Sequence, residues 1–128
     1  MTNAQALIVD DNPLNSDVLI TLIQNAGIDA IAIESPRHIL DAIDHLTNLQ
    51  VIFLDLEFPN HSGFDLLKDL KNHPRLENIP IVAYSVHTSE IDRVRKAGFH
   101  SFVGKPLDPK RFPSQLERIL NNQSVWEV

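Results

Sequence analysis

The sequence predicts an α/β fold: a parallel five-stranded sheet with helices on both faces. Three observations carry this. Five short apolar runs, ALIVD, IDAIAI, VIFLD, PIVAYS and SFVGK, recur along the chain. They are rich in Ile and Val and scarcely alternate with polar residues, as expected of strands buried on both faces. Successive runs start about 20–30 residues apart, and helical periodicity fills each interval, so the repeat is a βα unit.

The elements follow in order. ALIVD ends at adjacent carboxylates, Asp10 and Asp11, and Asn12-Pro13 then opens a helix with a side-chain acceptor at the N-cap and proline at the first helical position. Val18, Leu22 and Ala26 are expected on its apolar face, with Gly27 as its stop. IDAIAI leads into Ser35-Pro36, a second start of the same kind, and Ile39, Leu40, Ile43 and Leu46 supply the next apolar face. VIFLD ends at Asp55. Phe64, Leu67 and Leu70 mark the third helix, which stops before His73-Pro74. PIVAYS ends at Ser85, and the fourth helix is expected from about Thr88 to Ala97, closed by Gly98. Its only large apolar residues are Ile91 and Val94, so one face is either solvated or open to a partner. SFVGK ends at Lys105, before Pro106. Asp108-Pro109 opens the last helix, and Pro113, expected in its second turn, predicts an irregular start and regular helix from about Ser114 to Asn121. Residues 1–122 are expected as one domain. Residues 123–128 read as a short polar tail, whose Trp126 is expected to pack against the last helix.

Composition narrows the function classes. A chain of 128 residues, 43% hydrophobic, can build one core. No apolar run is long enough to cross a bilayer, and MTNAQALIV lacks the basic start and cleavage site of a signal peptide, so a cytoplasmic protein away from membranes is expected. The absence of cysteine excludes disulfides and thiol chemistry. A net charge of −6 argues against a nucleic-acid partner. The local clusters Arg93, Arg95, Lys96 and Lys110, Arg111 sit among acids and read as solvated helix faces.

Right-handed crossovers gather the loops at the carboxyl ends of parallel strands. That edge would collect Asp10, Asp11, Asp55, Ser85 and Lys105. Alone, Asp10-Asp11 reads equally well as a solvated strand-end cap; four strand ends with such residues make a candidate site. Three converging carboxylates would drive one of their number to take up a proton unless a cation relieves them. An all-oxygen site in open loops suits Mg²⁺; Mn²⁺ could substitute, and Zn²⁺ is disfavoured because the six histidines lack ligand spacing. A cation, the Lys105 ammonium and the Ser85 hydroxyl together suit a phosphoryl group, with Asp55 as the nucleophile that forms an acyl phosphate. A cis Lys105–Pro106 bond would aim the lysine back over the strand ends.

These residues resemble the receiver domain of two-component response regulators, from about Ala6 to Leu120. The blocks VDDNP, DLEFPNHSG, AYSVH and GKP stand in that family's order and spacing. The resemblance implies a flavodoxin-like (βα)5 sandwich of strand order 2-1-3-4-5. It implies Asp55 as phosphoacceptor, with Mg²⁺ held by Asp11 directly, Asp10 through water, Asp55, and the backbone carbonyl of Glu57. Ser85 takes the place of the switch hydroxyl, Lys105 that of the phosphate-binding lysine, and Phe102 that of the switch aromatic, which turns inward on activation. Pro59 and Gly63 match the loop after the acceptor. The implied donor is a histidine kinase or histidine phosphotransfer protein. The implied readout face is the fourth helix, fifth strand and fifth helix, contacting a downstream protein, with a monomer or weak homodimer expected. Such a protein is not an enzyme on external substrates, although it assists its own phosphorylation and dephosphorylation.

Three positions depart from the pattern. Val86 stands where a small residue is usual beside the phosphoryl group, and its bulk is expected to narrow access to Asp55. Glu57 and His87 flank the site, where an acid would either repel a donor or orient a hydrolytic water. Val86 and Glu57 keep a phosphorylation-independent pseudo-receiver as the alternative. A phosphohydrolase of the haloacid-dehalogenase type is disfavoured, because its D-x-D pair follows the first strand, whereas the nearest match here is Asp55-Leu56-Glu57 after the third. Nucleotide binding lacks its glycine-rich loops. His61 reads as a surface loop residue.

Overall fold

The computed structural model describes residues 3–58 and 61–127. Among these residues, six strands form one sheet: β1 (Gln5–Val9), β2 (Asp29–Ile33), β3 (Leu49–Asp55), β4 (Ile81–Ser85), β5 (Ser101–Gly104) and β6 (Trp126–Glu127). All neighbouring pairs are parallel, in the order β2-β1-β3-β4-β5-β6. The expected order 2-1-3-4-5 is therefore present, and the segment that reads as a polar tail adds a sixth strand at the edge. A two-residue hairpin, Glu57–Phe58 against His61–Ser62, follows β3 and was not foreseen.

Among the described residues, five helices connect the strands: α1 (Pro13–Asn25), α2 (Ile39–His45), α3 (Gly63–Lys71), α4 (Ile91–Ala97) and α5 (Phe112–Leu120). Period-2 alternation sends Leu7, Val9, Ile52 and Leu54 into one apolar layer with the buried residues of α2, α3 and α4. Ala6, Ile8, Val51 and Phe53 enter the other, with Leu19 and Ile23 of α1 and Phe112, Leu116 and Ile119 of α5. Both faces are covered, which is why the strands read as unbroken apolar runs. Phe53 and Phe112 tie sheet to α5 with ring centroids 5.9 Å apart at 46°.

The helix starts have local causes. Ser35 accepts a bond from the Arg37 amide and begins a 3₁₀ turn, Pro36–His38, that leads into α2. Ser62 accepts from the Phe64 amide and caps α3. A 3₁₀ turn, Thr88–Glu90, precedes α4, and Gly98 ends it at φ +100°, a left-handed conformation that glycine adopts without a Cβ penalty.

Three sequence expectations need correction. Among the described residues of α1, Ser16, Leu19 and Ile23 are buried, whereas Val18 is 48% exposed and Ala26, just after the helix, is exposed. Apolar residues at 18, 19, 20, 22 and 23 form two overlapping helical stripes, and only packing against the sheet selects between them. In α2, Ile39 and Ile43 are buried, as is Leu46 just after it, but Leu40 lies on the solvent side. The last helix begins at Phe112, after a turn in which Asp108 Oδ1 accepts from the Lys110 amide at 2.9 Å. Pro113 thus falls in the first turn, where its missing N–H forfeits no helical bond.

Candidate functional site

β1, β3 and β4 end side by side, and β5 ends next to β4. Each apolar strand delivers one polar side chain where it meets its loop. Asp10 follows β1, Asp55 ends β3, Ser85 ends β4 and Lys105 follows β5. The register fixes the depth, since Asp55 pairs with Tyr84 and Ser85 with Gly104.

The structure brings the three aspartates together. One carboxylate oxygen from each of Asp10, Asp11 and Asp55 lies within 4.8 Å of the others. Asp10 is 1% exposed and Asp55 8%, whereas Asp11 faces solvent. Lys105 enters from the far side, with Nζ 3.0 Å from Asp10 Oδ2 and 3.4 Å from Asp55 Oδ2. Its ammonium also lies over the Tyr84 ring, 4.3 Å from the centroid, a cation–π contact that the sequence reading missed. The Lys105–Pro106 bond is cis.

Backbone donors hold the carboxylates in place. The Asn12 amide donates to Asp10 Oδ1 at 2.9 Å, and the Glu57 amide donates to Asp55 Oδ1 at 3.1 Å. Burial pushes the Asp55 carboxyl up from the ordinary 3.8 to about 6. The Glu57 amide and Lys105 pull it down, and Asp10 adds to the rise. Burial, with the Asp10 and Asp55 charges nearby, likewise raises the Tyr84 hydroxyl.

Three carboxylates face one ammonium, which leaves two negative charges for something else to balance. The donor atoms are all oxygens and one wall is open at Asp11. This set fits a hard divalent cation that keeps some of its water, as Mg²⁺ does.

Ser85 is buried, and its Oγ accepts from the His87 amide at 3.0 Å. Phe102 is fully buried. Val86 is 58% exposed and belongs to no core layer. Glu57 and His87, which sequence spacing placed only beside the site, are in side-chain contact, with His87 Nε2 2.8 Å from Glu57 Oε1. His61 is exposed on the hairpin, as expected. Pro59 lies outside the described residues. Gly63 has a concrete reason: a Cβ there would lie 2.6 Å from the Asp55 carbonyl oxygen.

A parallel α/β sheet thus carries an acidic trio, a lysine and a hydroxyl at its carboxyl edge. Residues 6–117 match the response regulator receiver domain family, and the chain belongs to it. It is 31% identical over 119 residues to the polar-differentiation response regulator DivK of Brucella ovis, covering 91% of this chain and 95% of that protein. Among solved structures, chemotaxis response regulator CheY4 of Vibrio cholerae superposes with a TM-score of 0.80 at 23% identity, covering 92% of this chain and 99% of that one. The receiver domain of sensor histidine kinase PA1611 from Pseudomonas aeruginosa, with a magnesium ion coordinated in its active site cleft, gives 0.81 at 19% identity, covering 94% and 99%. At these identities the structural likeness is one of fold, and the fold is flavodoxin-like. Among the described residues no helix is long and apolar enough to cross a membrane.

Proposed function

We propose that this chain accepts a phosphoryl group on Asp55 from the phosphohistidine of a histidine kinase or phosphotransfer protein, and signals by altered contact with a downstream protein. The observation that carries the reading is the buried Asp55 carboxylate held 3.4 Å from Lys105 Nζ and grouped with Asp10 and Asp11.

In the transfer, an Asp55 oxygen bonds to phosphorus as the bond from phosphorus to the donor imidazole breaks. The electron pair returns to the imidazole nitrogen, which takes a proton from solvent. Asp55 is suited to this because the Glu57 amide holds one oxygen, leaving Oδ2 toward Lys105. The Lys105 ammonium then neutralises a phosphoryl oxygen, exchanging its present partners for it. Asp10, Asp11, Asp55 and the Glu57 carbonyl would hold Mg²⁺, or Mn²⁺ in its place, which supplies charge neutralisation for the transferring group. Hydrolysis reverses the state: water attacks phosphorus and the Asp55 carboxylate leaves, releasing inorganic phosphate.

Ser85 carries the change outward. Its hydroxyl is free to donate to a phosphoryl oxygen while Oγ still accepts from His87, and a shift there favours one of two pre-existing arrangements of β4, α4 and β5. Phe102, fully buried on the neighbouring β5, is the side chain that would move with Ser85. A cytoplasmic location and a monomer or weak homodimer complete the reading.

The test is intact mass after incubation with acetyl phosphate and Mg²⁺, with Asp55→Ala as control. A phosphate adduct that needs both metal and Asp55 supports the assignment. No adduct, with either acetyl phosphate or phosphoramidate, would turn the reading to a pseudo-receiver that binds without phosphorylation.

A further inference from the structure

Tyr84 is the lateral neighbour of Asp55 across the β3–β4 ladder and of Val103 across the β4–β5 ladder. Residues paired in a parallel sheet project to the same face, here the layer that Tyr84 and Val103 share with α1 and α5. Lys105 follows β5, where its amide donates to the Ser85 carbonyl at 2.9 Å. To reach Asp55 on β3 and Asp10 after β1, its side chain must cross β4. What lies beneath that crossing is the Tyr84 ring, with Nζ 4.3 Å from the centroid.

Burial gives this contact its weight. The Lys105 side chain is 7% exposed and Tyr84 is 2% exposed. A cation so nearly dry is costly unless protein groups replace its water. Its partners are Asp10 Oδ2 at 3.0 Å, Asp55 Oδ2 at 3.4 Å and the ring face. An aliphatic residue at position 84 would fill the same layer as Val82 and Val103 do, but would offer the ammonium nothing. Cation–π attraction is strongest where water is excluded.

The ring differs from the carboxylates in one respect. When Asp55 takes a phosphoryl group, the bonded oxygen becomes part of an acyl phosphate and the carboxylate loses its charge. The ammonium must then trade a carboxylate oxygen for a phosphoryl oxygen. The Tyr84 face makes and breaks no bond, so it holds Nζ beside Asp55 throughout the exchange. A cation already in place as negative charge develops costs no reorganisation at that moment.

We propose that Tyr84 is a positioning residue for phosphoryl transfer. Its ring is the platform that keeps the Lys105 ammonium beside Asp55 while the ammonium passes from carboxylate to phosphoryl oxygen. Tyr84 acts through Lys105 and touches no reacting atom. This role rests on Asp55 as the acceptor, and the natural chain's own adduct tests that separately.

The experiment compares the natural chain with Tyr84→Leu and Tyr84→Phe, each with Lys105 present and in a Lys105→Ala background. Initial rates of adduct formation with acetyl phosphate and Mg²⁺ are read by intact mass. Tyr84→Leu is expected to be about three- to tenfold slower, the worth of one desolvated cation–π contact. Tyr84→Phe keeps the ring and should run close to the natural rate. In the Lys105→Ala background all three side chains at position 84 should give one common rate, which a role in packing alone would not produce. Metal-free urea unfolding supplies a second reading. Tyr84→Leu should lower the midpoint more with Lys105 present than in the Lys105→Ala background.

Equal rates for Tyr84→Leu and the natural chain overturn the proposal, as does the same slowing with and without Lys105. A Tyr84→Phe rate as low as that of Tyr84→Leu assigns the effect to the hydroxyl and overturns it too. No adduct on the natural chain is instead the failure of the Asp55 assignment, and the positioning role falls with it. Should Lys105→Ala not fold, the Lys105 ammonium proton resonance of the metal-free protein decides. The ring should shift it upfield in the natural chain and in Tyr84→Phe, and Tyr84→Leu should lose that shift. An unshifted resonance in the natural chain overturns the proposal.

Discussion

Lys105 and Asp10 form a buried ion pair, 3.0 Å from Nζ to Oδ2, with both side chains at most 7% exposed. The same ammonium reaches Asp55, so one cation serves two buried carboxylates. Removing one partner of such a pair leaves an uncompensated charge, which costs more than the pair itself contributes. Lys105→Ala is therefore expected to destabilise the metal-free protein by about 3 kcal/mol, and Mg²⁺ should recover part of the loss by taking over the ammonium's role. Urea unfolding with and without Mg²⁺ measures both, and an unchanged midpoint would contradict the pairing.

Asp55 gives the metal-free protein a definite pH dependence. Its folded-state pKa of about 6 is raised above the ordinary 3.8, mainly by burial. The fold therefore favours the protonated acid. That contribution is complete below about pH 4 and is lost as pH rises through 6, a difference of roughly 3 kcal/mol between pH 4 and pH 8. Asp55→Asn, which cannot ionise, should gain on the natural chain across this window and match its trend elsewhere. Mg²⁺, which competes with the proton, should stabilise the natural chain at pH 8 and scarcely at pH 5. A stability difference from Asp55→Asn that stays flat between pH 4 and 8 would refute the account.

Gly63 sits where α3 begins against the acceptor's own backbone. A Cβ there would meet the Asp55 carbonyl at 2.6 Å and Leu56 Cα at 2.7 Å, both backbone atoms that cannot swing aside. Gly63→Ala should cost about 1–3 kcal/mol by overpacking and slow adduct formation by displacing Asp55. Thermal melts and the acetyl phosphate assay read the two effects. A variant as stable and as fast as the natural chain would show that the loop yields freely.

The Glu57–His87 pair spans the mouth of the site but is exposed, so it contributes little to stability. Its chemical consequence is larger. While His87 Nε2 engages Glu57 Oε1, that oxygen is turned to the imidazole and is not available to accept a proton from water attacking an Asp55 phosphate. His87→Ala should shorten the phosphate lifetime several-fold with the melting temperature unchanged. Adding Glu57→Gln should restore the longer lifetime. If the single variant leaves the lifetime unchanged, Glu57 is not positioned to act on water.

The chain order of apolar runs, prolines and glycines was sufficient to place five strands, their order through family resemblance, and the acceptor edge. Asp10, Asp11, Asp55, Ser85 and Lys105 were legible because each ends an apolar run, and parallel topology gathers such ends on one side. Other features were not, because they depend on distance through space. The Glu57–His87 contact joins residues 30 positions apart on two loops, and spacing alone says only that both lie near the site.

What the sequence determined by itself is the alternation of strand and helix and the chemistry delivered to the carboxyl edge, because burial on both faces and βα connection leave few other arrangements. Tertiary structure alone decided which stripe of α1 faces the sheet, since Val18 and Leu19 are both apolar and only the shape of the β-sheet surface chooses Leu19. It also decided that a polar-looking end becomes a strand. Trp126 and Glu127 have no apolar run to announce them; the open edge of β5 and the arginines on either side make the extended conformation favourable there.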